Sequence, residues 1–117
     1  MDTILIVDDH ADFRVRTRAL LEAEGFVVVG DAEDGASGID AVHALSPDIV
    51  LLDLGLPDID GFEVTRRLRA GGRAPTIVLI STWPAVEYGP QLADSGVAGF
   101  IAKEDLSGSA VRALMGG

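Results

Sequence analysis

The sequence predicts an α/β domain built on a buried parallel sheet with helices on both faces. Three observations predict it. Five short apolar runs (Ile4–Val7, Phe26–Val29, Ile49–Leu52, Ile77–Ile80 and Val97–Ile101) recur at starts roughly 20–28 residues apart. Most are β-branched and continuously apolar, the pattern of strands covered on both faces. The stretches between them carry helical spacing, and alternating strand–helix units call for right-handed crossovers.

After Ile4–Val7, the residues Phe13, Thr17, Leu20 and Leu21 fall on one helical face, and Gly25 supplies a C′ position. Phe26–Val29 follows as the second strand. Ile39, Val42 and Leu45 share the next helical face, which Ser46-Pro47 closes before Ile49–Leu52. A third helix is expected from about Asp60 to Ala70, stopped by Gly71-Gly72. A fourth is expected between Pro84 and Ser95, weakened in its first half by Gly89 and Pro90. The last carries Leu106, Ala110, Ala113 and Leu114. No linker or low-complexity tract divides the chain, so residues 1–117 read as one domain.

Composition narrows the function. The hydrophobic content of 48% and charged content of 24% are those of a folded chain. Nine Lys and Arg face 19 Asp and Glu, a formal charge of −10, which opposes binding to nucleic acid phosphates and to anionic membranes. A cation or a basic partner suits that balance better. Without cysteine there is neither a disulfide framework nor a thiolate zinc site. No apolar run approaches about 18 residues and Met1-Asp2-Thr3 has no basic leader pattern, so a cytoplasmic location is expected.

In an open sheet of this class, sites form beyond the carboxyl ends of the strands. The residues there are Asp8-Asp9, Asp53, Ser81-Thr82 and Lys103. Bare carboxylates brought together at a buried edge repel and are costly to desolvate, and a divalent cation relieves both problems. Mg²⁺, with Mn²⁺ the alternative ion, takes a few carboxylates plus water and phosphate oxygens. Asp8, Asp9 and Asp53 with a backbone carbonyl near Gly55 form such a set. Asp53 stands alone at the end of the central run and is the best nucleophile for an acyl phosphate. Ser81 can hydrogen-bond a phosphoryl oxygen, and Lys103 offers a compact charge for a carboxylate or phosphate. Taken singly, these residues read as turn, cap and surface charge; their agreement in one register carries the functional reading.

These segments resemble a known family. Ile-Leu-Ile-Val-Asp8-Asp9-His10, the run from Asp48 to Asp53-Leu-Gly-Leu-Pro57 and on to Gly61, Val-Leu-Ile-Ser81-Thr82, and Gly99-Phe100-Ile101-Ala102-Lys103 are similar to the receiver domain of two-component response regulators, over essentially the whole chain. Asp8-Asp9-His10 and Lys103-Glu104-Asp105 look most like the NarL/LuxR-type subfamily, whose receivers precede a helix-turn-helix output domain. The resemblance implies a flavodoxin-like (CheY-like) (βα)5 fold with strand order 2-1-3-4-5. It implies phosphorylation of Asp53 by a sensor histidine kinase, Mg²⁺ at Asp8, Asp9 and Asp53, and sensing of the phosphoryl group by Ser81 and Lys103. It also implies a switch in which Ser81 moves together with Phe100. Such a domain is regulatory, not an enzyme acting on a separate substrate, and binds no nucleic acid or membrane itself. A monomer or a weak, phosphorylation-dependent homodimer is expected.

The departures matter too. Glu104 replaces the proline that many receivers carry after the lysine, and Gly55 leaves no side chain two residues past the acceptor. Trp83 and Tyr88 are unusual for the family's fourth helix; they either form a partner surface or cover the core beside a shortened helix. A haloacid-dehalogenase-like phosphatase would need Asp-x-Asp in place of Asp8-Asp9-His10. A flavodoxin proper would need a phosphate-binding loop after the first strand. The acidic spacing of Asp58, Asp60 and Glu63 is not that of an EF-hand. A pseudo-receiver that only binds proteins is disfavoured by the retained Asp8, Asp9, Asp53, Ser81 and Lys103. The chain ends at Gly117, just past the last expected helix, and the expectation is a regulatory piece of a longer protein.

Overall fold

The computed structural model describes residues 2–72, 74–83 and 88–115, which form alternating strands and helices. Strands β1 (Thr3–Val7), β2 (Val27–Ala32), β3 (Ile49–Asp53), β4 (Thr76–Ser81) and β5 (Gly99–Ala102) make one sheet. Helices α1 (Ala11–Ala23), α2 (Gly35–Leu45), α3 (Gly61–Ala70), α4 (Pro90–Asp94) and α5 (Gly108–Leu114) connect and follow them. Every strand pair is parallel and the order is β2-β1-β3-β4-β5. The fold class expected from the sequence is the one observed.

Successive side chains of a strand point to opposite faces, so the central strands fill two cores at once. Leu5, Val7, Val50, Leu52, Ile77 and Leu79 meet Val42 of α2 and Phe62, Val64 and Leu68 of α3 on one face. Ile4, Ile6, Ile49, Leu51, Val78 and Ile80 meet Leu21 of α1 and Val111 of α5 on the other. Every residue of β3 is buried, which is why that run shows no alternation. The edge strand β2 is less covered, with only Val28 and Ala32 buried, and its register against β1 shifts between Ile4 and Leu5.

Local chemistry sets the boundaries. Asp34 accepts from the Ser37 N–H at 2.8 Å and Asp60 from the Glu63 N–H at 2.8 Å, capping α2 and α3. Ser107 caps α5 by accepting from the Ala110 N–H. The third helix therefore begins at Gly61 with Asp60 as its cap, one residue inside the expected start.

Several expectations are corrected. Leu20 is exposed, because the line Phe13, Thr17, Leu21 already occupies the inward stripe of α1. Leu45 is 44% exposed at the last position of α2, over the edge-strand Gly30. Ala113 is exposed and Leu106 precedes the helix; the buried centre of α5 is Val111. The second strand runs on to Ala32 and the fifth begins at Gly99. The fourth helix is only Pro90–Asp94: Gly89 stands before it at φ +55° and Pro90 supplies its first turn. Pro84–Glu87, the first half of the helix expected there, lie outside the described residues.

Candidate functional site

The strand order reverses between β1 and β3, and the crevice at their carboxyl ends is where a sheet of this topology places a ligand. Asp53 is the last residue of β3 and is paired in register with Ile80. Its carboxylate is 5% exposed and accepts from the Gly55 N–H through Oδ1 at 3.2 Å. Asp8 follows β1, anchored by its N–H on the Ala32 carbonyl, and its side chain is fully buried. Asp9 is more open, at 32%. Oxygens of Asp8, Asp9 and Asp53 and a ring nitrogen of His10 all lie within 4.8 Å of one another.

Lys103 closes the cluster from the turn after β5. Its Nζ is 2.7 Å from Asp8 Oδ2 and 3.5 Å from Asp53 Oδ2. Asp8 Oδ2 accepts no well-directed hydrogen bond, so the ammonium meets it as an ion pair. The Phe13 ring of α1 holds that ammonium 4.5 Å from its centroid. Burial pushes the Asp53 carboxyl above the ordinary carboxylate range, and the neighbouring Asp8 charge adds to this. The Gly55 N–H and Lys103 pull the other way without cancelling it. Two buried carboxylates against one ammonium leave negative charge uncompensated.

The donor set fits a hard divalent cation. It is made of carboxylate oxygens, one lacking a directed donor, with Asp9 open to solvent where water ligands can enter. Asp8, Asp9 and Asp53 are the residues that would hold it.

The loop between β3 and α3 is fastened from both sides. Asp58 accepts from the N–H groups of Gly35 and Ala36 at 2.8 and 2.9 Å, at the start of α2. Those bonds hold its carboxyl down at about 2. Gly61 lets α3 approach the acceptor: a Cβ there would stand 2.9 Å from the Asp53 carbonyl oxygen and 3.1 Å from Leu54 Cα.

All the carboxylates expected from the sequence, and Lys103, are brought together. Ser81 is buried at the end of β4, but its hydroxyl points elsewhere. Among the described residues, it accepts from the Trp83 N–H at 3.0 Å and meets Tyr88 Oη at 2.5 Å. Phe100 is half-buried and packs on the same ring, Tyr88, at 5.8 Å. Trp83 is 66% exposed, so the two unusual aromatics part company: Tyr88 is half-buried against the core and Trp83 lies on the surface.

Two neighbours were given no role from the sequence, and a third, Tyr88, was singled out only as an unusual aromatic. His10 Nδ1 lies 3.1 Å from both Asp8 Oδ1 and Asp9 Oδ1. Arg14 donates to the Asp8 carbonyl at 2.6 Å. Tyr88 reaches Ser81. Adjacency to Asp8-Asp9 was a signal for His10, and one helical turn from His10 to Arg14 was a weaker one.

Comparison with known proteins agrees with this geometry. Residues 4–111 match the family model described as the response regulator receiver domain. The chain is 35% identical over 115 residues to the "Probable transcriptional regulatory protein NarL" of Mycobacterium tuberculosis, covering 96% of this chain and 52% of that protein. A solved two-component response regulator of the LuxR family from Aurantimonas superposes with a TM-score of 0.88 at 29% identity, over 99% of this chain and 84% of the other. A solved NarL signal receiver domain from Mycobacterium tuberculosis gives 0.87 at 29% identity, over 99% and 98%. The chain spans about half the length of the curated relatives it matches first. Among the described residues, no helix is long and apolar enough to cross a membrane.

Proposed function

The chain belongs to the response regulator receiver domains of two-component systems, of the NarL/LuxR type, and from that premise we propose that Asp53 is its phosphoacceptor. The observation that carries this reading is the placement of Asp53 alone at the end of β3, with Lys103 Nζ within reach of both it and Asp8. An Asp53 oxygen attacks the phosphorus of a phosphohistidine on a sensor kinase. A P–O bond forms, the P–N bond breaks, and its electron pair leaves with the imidazole. Asp8, Asp9, Asp53 and the Gly55 carbonyl would hold Mg²⁺ or Mn²⁺. The ion supplies charge neutralisation for the transferred oxygens.

Lys103, whose ammonium reaches both Asp8 and Asp53, would pair with a phosphoryl oxygen. Ser81 turns to donate to another, and Phe100 follows into the space that opens. The output is regulatory: the relatives are named as transcriptional regulators, and a helix-turn-helix output domain responds to the phosphorylated receiver in the cytoplasm. The domain itself is a monomer or a weak, phosphorylation-dependent dimer. Incubation with acetyl phosphate and Mg²⁺ tests the reading. A mass gain of about 80 dalton, absent without the cation, is expected; turnover of the donor with no adduct at any time would point to a phosphatase instead.

A further inference from the structure

Tyr88 touches both halves of the proposed switch. Its hydroxyl lies 2.5 Å from Ser81 Oγ at the end of β4. Its ring packs 5.8 Å from Phe100 of β5 and 5.9 Å from Phe62 of α3, tilted at 51° and edge-on at 65°. Directly behind it, Gly89 and Pro90 begin α4. One side chain therefore couples the strand that carries the phosphoryl-sensing hydroxyl to the strand that carries the switch aromatic, and to the helix that starts beside them.

A serine hydroxyl has one hydrogen and two lone pairs. The Trp83 N–H occupies one lone pair. If Ser81 donates to Tyr88, its only hydrogen is engaged and cannot reach a phosphoryl oxygen. If Tyr88 donates, both lone pairs of Ser81 are filled, and turning toward Asp53 breaks that bond. In the first arrangement Ser81 must release Tyr88 before it can donate to a phosphoryl oxygen; in the second its hydrogen is free, but two donors fix its oxygen and reorienting it costs the Tyr88 bond.

We propose that Tyr88 is a positioning residue that latches Ser81 in the unphosphorylated domain and passes the release of Ser81 to Phe100 through its ring. This rests on the receiver reading above. Its consequence is that the phenol hydroxyl, not the ring, holds the resting state.

Tyr88→Phe keeps the ring stack and removes the hydroxyl. Its rate of acyl phosphate formation from acetyl phosphate and Mg²⁺, followed by intact mass, is expected to rise roughly two- to tenfold, the factor one net hydrogen bond supplies. A rate equal to or below that of the unaltered protein overturns the latch. Tyr88 is the only tyrosine in the chain, so ¹³C-tyrosine labelling yields a single ring signal that needs no variant. That signal should move when beryllium fluoride and Mg²⁺ are added, and should already be displaced in Ser81→Ala without them. A signal unmoved in either case also overturns the latch. If the unaltered protein takes no adduct at all, the receiver reading falls and the latch with it; normal labelling with a silent Tyr88 sinks the latch alone.

Discussion

Lys103 Nζ stands closer to Asp8 Oδ2, at 2.7 Å, than to the acceptor Asp53, at 3.5 Å. In the resting domain the lysine is thus chiefly the counter-ion of a fully buried carboxylate whose Oδ1 accepts from the His10 N–H at 2.8 Å and whose Oδ2 has no directed donor. Removing it strands that charge. Lys103→Met is expected to lose about 3 kcal/mol of stability in metal-free buffer at neutral pH. Denaturant melts should show Mg²⁺ recovering more stability in the variant than in the parent protein. Equal gains in both would mean that Lys103 does not neutralise the site.

The acceptor itself has an electrostatic cost. Its folded-state pKa is raised, chiefly by burial and then by Asp8. Between the unfolded and folded values the folded state binds the extra proton, so this group's contribution is present at low pH and is lost as pH rises through the raised value. Asp53→Asn removes that slope. In metal-free buffer at pH 7 the variant should melt at a higher temperature than the parent, and the gap should close as the pH is lowered toward 4. A lower melting temperature for the variant at pH 7 would contradict the burial argument.

A cation binding only the folded form stabilises it by mass action. At a hundredfold excess over its dissociation constant, Mg²⁺ should add about 2.7 kcal/mol. Asp8→Asn is predicted to abolish most of that gain in a thermal-shift titration, while Asp40→Asn, on the exposed side of α2, leaves it intact.

The two faces of the sheet and the positions of Asp8 and Asp53 were legible because a charge at the end of a continuous apolar run can only sit at the sheet's edge. Lys103 was legible for the same reason. Tyr88 was not: its partner lies seven residues away across a turn, and no periodicity encodes that meeting. On α5, Leu106, Ala110 and Leu114 pack on the core as expected, while Ala113 is exposed and Val111 takes the buried centre, because Ser107 caps the helix and sets its first turn one residue after Leu106. The short α4 follows from Gly89 and Pro90, whose weakening effect was visible but whose role as a start was not.

The acceptor loop offers a test far from the charges. Asp58 ties that loop to the first turn of α2, and its carboxyl is depressed from 3.8 to about 2. Its contribution is therefore present above pH 3.8 and is lost as pH falls through about 2. Asp58→Ala should cost about 1 kcal/mol at pH 7, as loss of a helix cap does. The difference from the parent should shrink in acid, as read by urea melts at pH 7 and pH 2.5.

Gly61 sets how closely α3 approaches the acceptor. A methyl group there meets the Asp53 carbonyl and Leu54 backbone, which cannot give way as a flexible side-chain tip would. Gly61→Ala is predicted to destabilise by about 1–3 kcal/mol and to slow adduct formation. Full stability with unchanged labelling would show that the loop is free to move.

Phosphorylation of Asp53 is tested most directly by locating the phosphoryl group. Borohydride reduction of the acetyl phosphate-treated protein converts an aspartyl phosphate to homoserine, which tandem mass spectrometry locates. The predicted result is homoserine at position 53, formed only when Mg²⁺ was present. Reduction at Asp8 or Asp9, or a stable phosphate on Ser81, Thr82 or His10 with Asp53 unchanged, would contradict it.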